Sequence, residues 1–251
     1  MDIYSRRWYG SGKGSVCKVI FDNVKSFTIP EGEVQSLSVN GEVLWERFTE
    51  DYREVYQRVK SITTNSTGGW FLTDFIANNN SGLEFTYSVP SFSDIATMGS
   101  RTSASDTRCY VFYPRTTTVG YFGWNTATSV SVTTKANTIY TTRLNWLNSR
   151  KSILLDEEGN SLFSKSISKT LVQQTSCVGI GRYNNATNTP TSKRVVSIFG
   201  ARLSQGDEIV REYIPCYRKS DGEIGLFEIF TKTFVPSQVA NGCTIGEEIG
   251  W

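Results

Sequence analysis

The chain of 251 residues contains no histidine. Without an imidazole, Ser–His–Asp and Cys–His nucleophiles, His-containing zinc sites and histidine general bases are excluded. An enzyme built on this sequence would have to work through carboxylates, lysine, tyrosine or cysteine. The 5 cysteines (Cys17, Cys109, Cys177, Cys216 and Cys243) form no CxxC pair and are odd in number. That is unlike the disulfide framework of a small secreted domain. They read as reduced thiols packed as small apolar side chains, in keeping with assembly in a reducing cytosol. A dominant charge is missing too. The net charge is +2, and basic runs stop at the pairs Arg6-Arg7 and Lys193-Arg194. No field favours nucleic acid or an anionic membrane. No apolar run approaches the roughly 18 residues of a membrane span, and MDIYSRRWYGSGKG lacks the apolar stretch of a secretory leader. Nucleic-acid binding and membrane insertion are therefore not expected.

What is present is alternation. Leu83, Phe85, Tyr87 and Val89 fall on one face of an extended segment, with Glu84, Thr86 and Ser88 on the other. Cys109–Tyr113, Val119–Trp124, Val130–Thr134, Thr138–Trp146 and Ser152–Leu155 continue the series, with short breaks of Gly, Asn, Ser and Asp between them. Asp156–Asn160 reads as a hairpin turn toward Ser161-Leu162-Phe163. From Val195 to Val235 the order is strand, turn, strand, turn, strand. Within it Tyr213-Ile214-Pro215-Cys216 suggests an edge or final strand, since proline is tolerated mainly there. Ile214, Tyr217, Leu226, Phe227, Ile229, Phe230 and Phe234 are expected to fill the core or its lid, and Arg218–Gly222 to form the polar turn. No segment after residue 62 keeps a helical period, so the expected class is all-β. A chain of this length buries roughly 70–75% of its unfolded surface and needs no disulfide or metal staple.

The first 48 residues have a separate texture. Cys17–Val24 suggests a short strand. VKSFTI (24–29) and VQSLSV (34–39) form a near-repeat about Pro30-Glu31-Gly32, and Asn40-Gly41 signals a hairpin into Glu42–Trp45. In Glu46–Ile62, the positions Tyr52, Val55, Tyr56 and Val59 have helical spacing. The favoured alternative is a connector feeding a strand at Val59–Ile62. The expected organisation is a small β module over 1–48, a connector over 49–62, a sandwich over 63–236 and an extension over 237–251.

The run REYIPCYRKSDGEIGLF (211–227) resembles the closing segment of laminin-G/concanavalin-A-like lectin domains found in tail and surface proteins of bacteriophages and prophages. ATMGSR (96–101) is similar to that family's FGSR/FGAR strand end, and Asn137–Leu144 to its NTKYTV element. CVGIGR (177–182) is similar to its LFLGR step, and STGGWFLTD (66–74) stands where STGTQYIDTG would. The NGEVLW turn (40–45) is similar to a small module that tail proteins carry. The resemblance spans residues 64–235. It implies a concanavalin-A-like jelly-roll β-sandwich with a small N-terminal β module, in a virion protein assembled in the bacterial host cytoplasm. It further implies docking on other virion proteins through residues 1–48, homo-oligomerisation, and binding of a host-surface glycan.

Candidate chemistry follows from residue types. Glucanases of this sandwich shape project acids from an E-x-D-x-E strand into one cleft. No such run exists here: Asp156-Glu157-Glu158 sits at a turn, and Glu50-Asp51 and Glu247-Glu248 are isolated pairs. No catalytic residue is assigned, and the expectation is a protein without enzymatic activity or cofactor. A carboxylate glycosidase and a ligand-free decoration subunit are the alternatives. Sugars are held by aromatic rings with amide and guanidinium groups on loops. That points to Trp124-Asn125 and to Arg182, Tyr183, Asn184 and Asn185. The competing reading makes Trp124 part of the core and the Asn residues turn formers. Asp94 and Asp106 could offer oxygens to calcium but belong to no spaced acidic set, so no metal is expected. Asn65, Asn79 and Asn185 fit the glycosylation pattern, which an Asn/Ser/Thr-rich chain meets by chance.

Overall fold

Apolar residues at every second position need a surface to bury against, and two sheets provide it for each other. The computed structural model describes residues 51–102, 107–184 and 193–251, together with the backbone of four strands nearer the N-terminus. The chain divides into two units, Met1–Asp51 and Tyr52–Trp251. In the first, β1 (Cys17–Val19) pairs antiparallel with β2 (Phe27–Ile29), and β3 (Ser36–Val39) pairs with β4 (Glu42–Glu46). Val39 stands opposite Glu42, so the β3–β4 loop is Asn40-Gly41, the expected hairpin. The near-repeat strands β2 and β3 pair with other partners, not with each other.

The second unit opens with one helical turn, α1 (Tyr52–Val55). Then come β5 (Tyr56–Arg58), β6 (Ile62–Thr64), β7 (Phe71–Ile76), β8 (Ser81–Ser88), β9 (Met98–Arg101), β10 (Arg108–Pro114), β11 (Val119–Ser131), β12 (Tyr140–Leu144), β13 (Lys151–Leu155) and β14 (Ser161–Ser166). After these follow β15 (Cys177–Ile180), β16 (Tyr183–Asn184), β17 (Ser197–Gln205), β18 (Glu208–Arg218), β19 (Ile224–Glu228), β20 (Thr233–Pro236) and β21 (Cys243–Ile245). The larger sheet runs β14-β13-β12-β8-β17-β18-β19-β20, with β5, β6 and β21 attached, and the smaller runs β11-β10-β9-β15-β7. Pairing is antiparallel except between β16 and β9. The class is all-β and the architecture a two-sheet sandwich. The connector and the extension expected at 49–62 and 237–251 are built into it: β5 pairs with β18, and β21 with β6.

The core lies between the sheets. Leu83, Phe85 and Tyr87 of β8 are fully buried there, with Val111, Phe112, Val178 and Ile180 from the smaller sheet. Each such side chain contributes about 1.5–3 kcal/mol. Tyr87 carries its phenol into this layer and donates to Phe112 O of the opposite sheet at 3.0 Å. A bulge in β10 between Tyr110 and Tyr113 removes ladder partners. Thr142 Oγ1 of β12 meets the Phe112 N–H at 3.2 Å instead.

Four expectations change in detail. β18 is an interior strand, paired with β17, β19 and β5. Pro215 is accommodated because the pairing of β18 with β17 stops at Tyr213–Ala201 and its pairing with β5 starts at Cys216–Arg58. The missing N–H falls in that gap, while Pro215 O still accepts from Val59 N at 3.0 Å. The 195–235 segment holds four strands, and Phe230, expected inside, is 54% exposed. It sits at the β19–β20 turn, where the Glu228 carboxylate accepts from Phe230 N at 3.1 Å and turns the chain outward. Finally, Val119–Ser131 is one uninterrupted strand run, yet Val132 N donates to Thr118 O at 3.0 Å. The run therefore doubles back, with Asn125 (φ 64°) at its midpoint.

Candidate functional site

The larger sheet has an outward face, and its side chains come from the alternate positions of β12, β8, β17 and β18. Registry places Arg143 opposite Glu84, Glu84 opposite Arg202, and Arg202 opposite Glu212. Charge thus alternates across four neighbouring strands, the arrangement in which cross-strand pairs attract. Arg143 Nε donates to Glu84 Oε2 at 2.6 Å, and Arg202 Nε to Glu84 Oε1 at 2.6 Å. The Glu84 side chain is only 5% exposed, so both its oxygens are held by guanidinium groups. Arg202 also lies over the Trp146 ring, 5.4 Å from its centroid.

One step along the sheet the row is uncharged. Thr141 stands opposite Thr86, their hydroxyls 2.9 Å apart, and Gly200 stands opposite Thr86 on the other side. Gly200 contributes no side chain, and Phe199 falls in a bulge between Ile198 and Gly200. A cleft of about 150 Å³ results, lined by Arg58, Glu84, Thr86, Phe199, Arg202 and Glu212 among others.

Two charges in the cleft stay apart. Among the described residues neither Arg58 nor Glu212 makes an ion pair. Arg58 reaches only the carbonyl of Gly250, at 3.4 Å, and its Nε is buried without a hydrogen-bond partner. The cleft therefore offers a donor fork, a carboxylate acceptor, a hydroxyl and an aromatic edge around a bare floor. Glu84, with both oxygens engaged, is placed as the counter-ion of Arg143 and Arg202.

The residues expected to touch ligand lie elsewhere, and most are occupied. Trp124 is 4% exposed in the main core, and its Nε1 donates to Lys169 O at 2.7 Å. Asn125, at the β11 apex, donates from Nδ2 to Thr170 O at 2.6 Å and accepts from Val172 N at 2.8 Å. Both residues tie the 169–172 segment to the smaller sheet. Arg182 is buried against Gly68, where a Cβ would overlap its guanidinium; burial lowers its pKa. Asn184 is buried and donates to Cys177 O at 2.8 Å. Trp124, Asn125, Arg182 and Asn184 thus each have a place in holding the fold together. Tyr183 is half-buried on the outer face of the smaller sheet, 5.9 Å from Tyr110, and accepts from Arg101 Nη1 at 3.4 Å. It joins Ala96, Tyr110, Tyr113 and Tyr121 in a satellite aromatic cluster. Asn185 and Asp106 lie outside the described residues.

Asp94 accepts from Tyr113 Oη at 2.9 Å and pairs with Arg115 at 3.3 Å. Among the described residues no group of three or more potential ligands could hold a metal ion. Asn65 accepts from Thr67 N at 2.9 Å, and Asn79 from Arg150 Nη1 at 2.9 Å and Leu171 N at 3.0 Å. No helix among the described residues is long and apolar enough to cross a membrane. Comparison with known proteins gives no match, since no family model fits the chain and no curated protein or solved structure is significantly similar to it.

The cleft was missed from sequence because its parts come from β5, β8, β17 and β18. The available signal was the polar outward row Glu84, Thr86 on β8, together with Gly200 breaking the apolar alternation of β17.

Proposed function

We propose that this chain is a non-enzymatic surface component of a bacteriophage or prophage virion, whose sandwich binds host-surface carbohydrate in the cleft floored by Gly200. The observation carrying this reading is that cleft: a rigid sheet face presenting Arg58, Glu212, Thr86 and Phe199 around a bare backbone floor. Paired donors, a carboxylate acceptor and an aromatic edge are the groups that satisfy a polyhydroxylated ring. The virion assignment rests on the resemblance of residues 64–235, and above all of 211–227, to lectin-like domains of phage tail proteins. On this reading the sandwich is of the concanavalin-A-like jelly-roll type, and residues 1–48 dock on other virion proteins.

A glycan array tests it. Wild-type protein is expected to bind a subset of bacterial surface glycans saturably, and Gly200→Leu to abolish that binding. A Cβ at Gly200 meets only Tyr213 O, at 3.5 Å, so the substitution starts without a clash at the floor of the cleft. Binding that survives the substitution would move the site elsewhere. Absence of any binding would favour the second reading, a decoration subunit without ligand. Its support is that Trp124, Asn125, Arg182 and Asn184 all serve the fold.

A further inference from the structure

We infer that the cleft selects an acidic saccharide, its carboxylate engaged by Arg58 and its hydroxyls by Glu212 and Thr86. This rests on the carbohydrate-binding reading above and names the class of sugar. The charges in and beside the cleft are Arg58, Arg143, Arg202, Glu84 and Glu212. Arg143, Glu84 and Arg202 form one hydrogen-bonded set, with Glu84 saturated at both oxygens. Glu212 stands beside Arg202 in registry, so the positive charge left over in this set has a carboxylate neighbour.

Arg58 is different. It arrives on β5, which takes up the edge of β18 beyond the last residue paired with β17. Its strand neighbour is Cys216, and no carboxylate lies within ion-pairing distance among the described residues. Its Nε, buried and unpartnered, has lost water without gaining an acceptor. An unsatisfied charged donor of this kind costs free energy in the empty protein. The ligand carboxylate is taken at the Nη end of the guanidinium, which is held only by the long bond to Gly250 O at 3.4 Å and has two parallel donors to offer. Phosphate and sulfate esters would present the same negative oxygens, so the acid type is distinguished in the test. Phe199, which also lines the cleft, supplies an apolar surface against which a ring can lie.

The experiment uses the full chain and three probes: oligogalacturonate, the same oligosaccharide after carboxyl reduction, and a sulfated neutral oligosaccharide. An oligosialic acid and its carboxyl-reduced form serve as a second acidic pair. Affinities are read by calorimetry for wild type, Arg58→Gln, Arg58→Lys and Gly200→Leu, with thermal melting as the check on folding. The expected result is binding of at least one carboxylated probe, weakened by about 10- to 100-fold on carboxyl reduction or in Arg58→Gln. Arg58→Lys should recover part of that loss, since it keeps the charge without the fork. Should Gly200→Leu fail to fold, Phe199→Ala replaces it as the cleft variant. Equal binding of carboxylated and reduced probes, indifferent to Arg58→Gln but lost in the cleft variant, overturns the acidic-sugar inference and leaves the carbohydrate site standing. Preference for the sulfated probe overturns it as well. Failure of every saccharide to bind overturns both readings.

Discussion

Glu84 of β8 and Arg202 of β17 stand directly opposite each other on the outward face of the larger sheet, and the carboxylate is more deeply buried than its partner. The Glu84 side chain is 5% exposed, against 38% for Arg202 and 34% for Arg143 on the other flank. The arginine stems cover the carboxylate while their heads keep contact with water. This asymmetry fixes the stability consequences. Glu84→Ala should cost about 2 kcal/mol, short of a fully buried pair because both guanidiniums can rehydrate. Arg143→Gln should cost about 1 kcal/mol, because Arg202 still holds Glu84. Urea unfolding of the two variants checks the order. A larger loss for Arg143→Gln would contradict it.

Asn125 offers a separation of fold from ligand binding. Its left-handed φ of 64° suits glycine, and its amide makes two hydrogen bonds to the 170–172 segment. Asn125→Gly keeps the backbone and loses the bonds, about 1–2 kcal/mol. Asn125→Ala adds left-handed strain of about 1–2 kcal/mol. Both variants should retain wild-type saccharide affinity when measured below their melting temperatures. A selective loss of affinity in Asn125→Gly would restore this loop as a binding element.

Much of the sandwich was legible because period-two alternation is local. Leu83, Phe85 and Tyr87 announce their buried face, and Asp156–Asn160 announces its turn, bonded from Asn160 N to Asp156 Oδ1 at 2.7 Å. The cleft was not legible because it depends on which strands become neighbours. Glu84 finds its two arginines 59 and 118 positions away. Nothing near Glu84 in sequence says that its polar face will close over it. Pro215 misled for the same reason: its position reads as an edge, and the gap between β17 and β5 that accepts it exists only in the assembled sheet. Trp124 and Tyr183 show the remaining ambiguity. An aromatic beside Asn has one sequence signature, whether the ring joins the core, as Trp124 does, or a surface cluster, as Tyr183 does.

Burial controls the thiols. Cys109 and Cys216 are fully buried, and loss of hydration pushes both pKa values up to about 12. The thiol form of each then persists far above neutral pH, and the thiolate is the reactive species. Iodoacetamide at pH 8.5 should leave both unmodified in the native protein and alkylate both in guanidinium chloride. Peptide mass spectrometry reads the sites. Native-state labelling of Cys109 at the unfolded rate would be incompatible with its place in the core.

Arg194 fastens a loop to the smaller sheet. It is 6% exposed, donates to Ile95 O at 2.5 Å, Ser91 O at 3.3 Å and Pro114 O at 3.2 Å, and lies over the Tyr113 ring. Charge-assisted bonds to three carbonyls in a buried setting make this a costly residue to lose. Arg194→Met retains the stem and removes all three, an expected loss of about 2–4 kcal/mol. Hydrogen exchange should accelerate first at residues 91–97. Exchange that stays uniform along the chain would show that the loop has other anchors.

Trp251 closes the outward face of the larger sheet near β19. Phe227 is fully buried although it lies outside the main core cluster. Its cover is Tyr52, stacked at 4.8 Å, with Tyr56 at 5.2 Å and Trp251 edge-on at 5.8 Å. Trp251 also meets Tyr52 at 5.0 Å and donates from Nε1 to Tyr56 O at 3.1 Å. Among the described residues the lid is made from segments 195 positions apart. Trp251→Ala should cost about 2 kcal/mol, reduced from a full aromatic truncation because the ring is half-buried. Phe230→Ala, at an exposed turn, should change stability by no more than about 0.5 kcal/mol. A chain beginning at Tyr52 keeps every described residue of this lid and of the core. It should melt cooperatively within a few degrees of the same unit in the full chain, whereas adding Trp251→Ala to it should lower the midpoint by about 4 °C or more. A shortened chain that fails to fold would show that residues 1–51 supply stability to the sandwich.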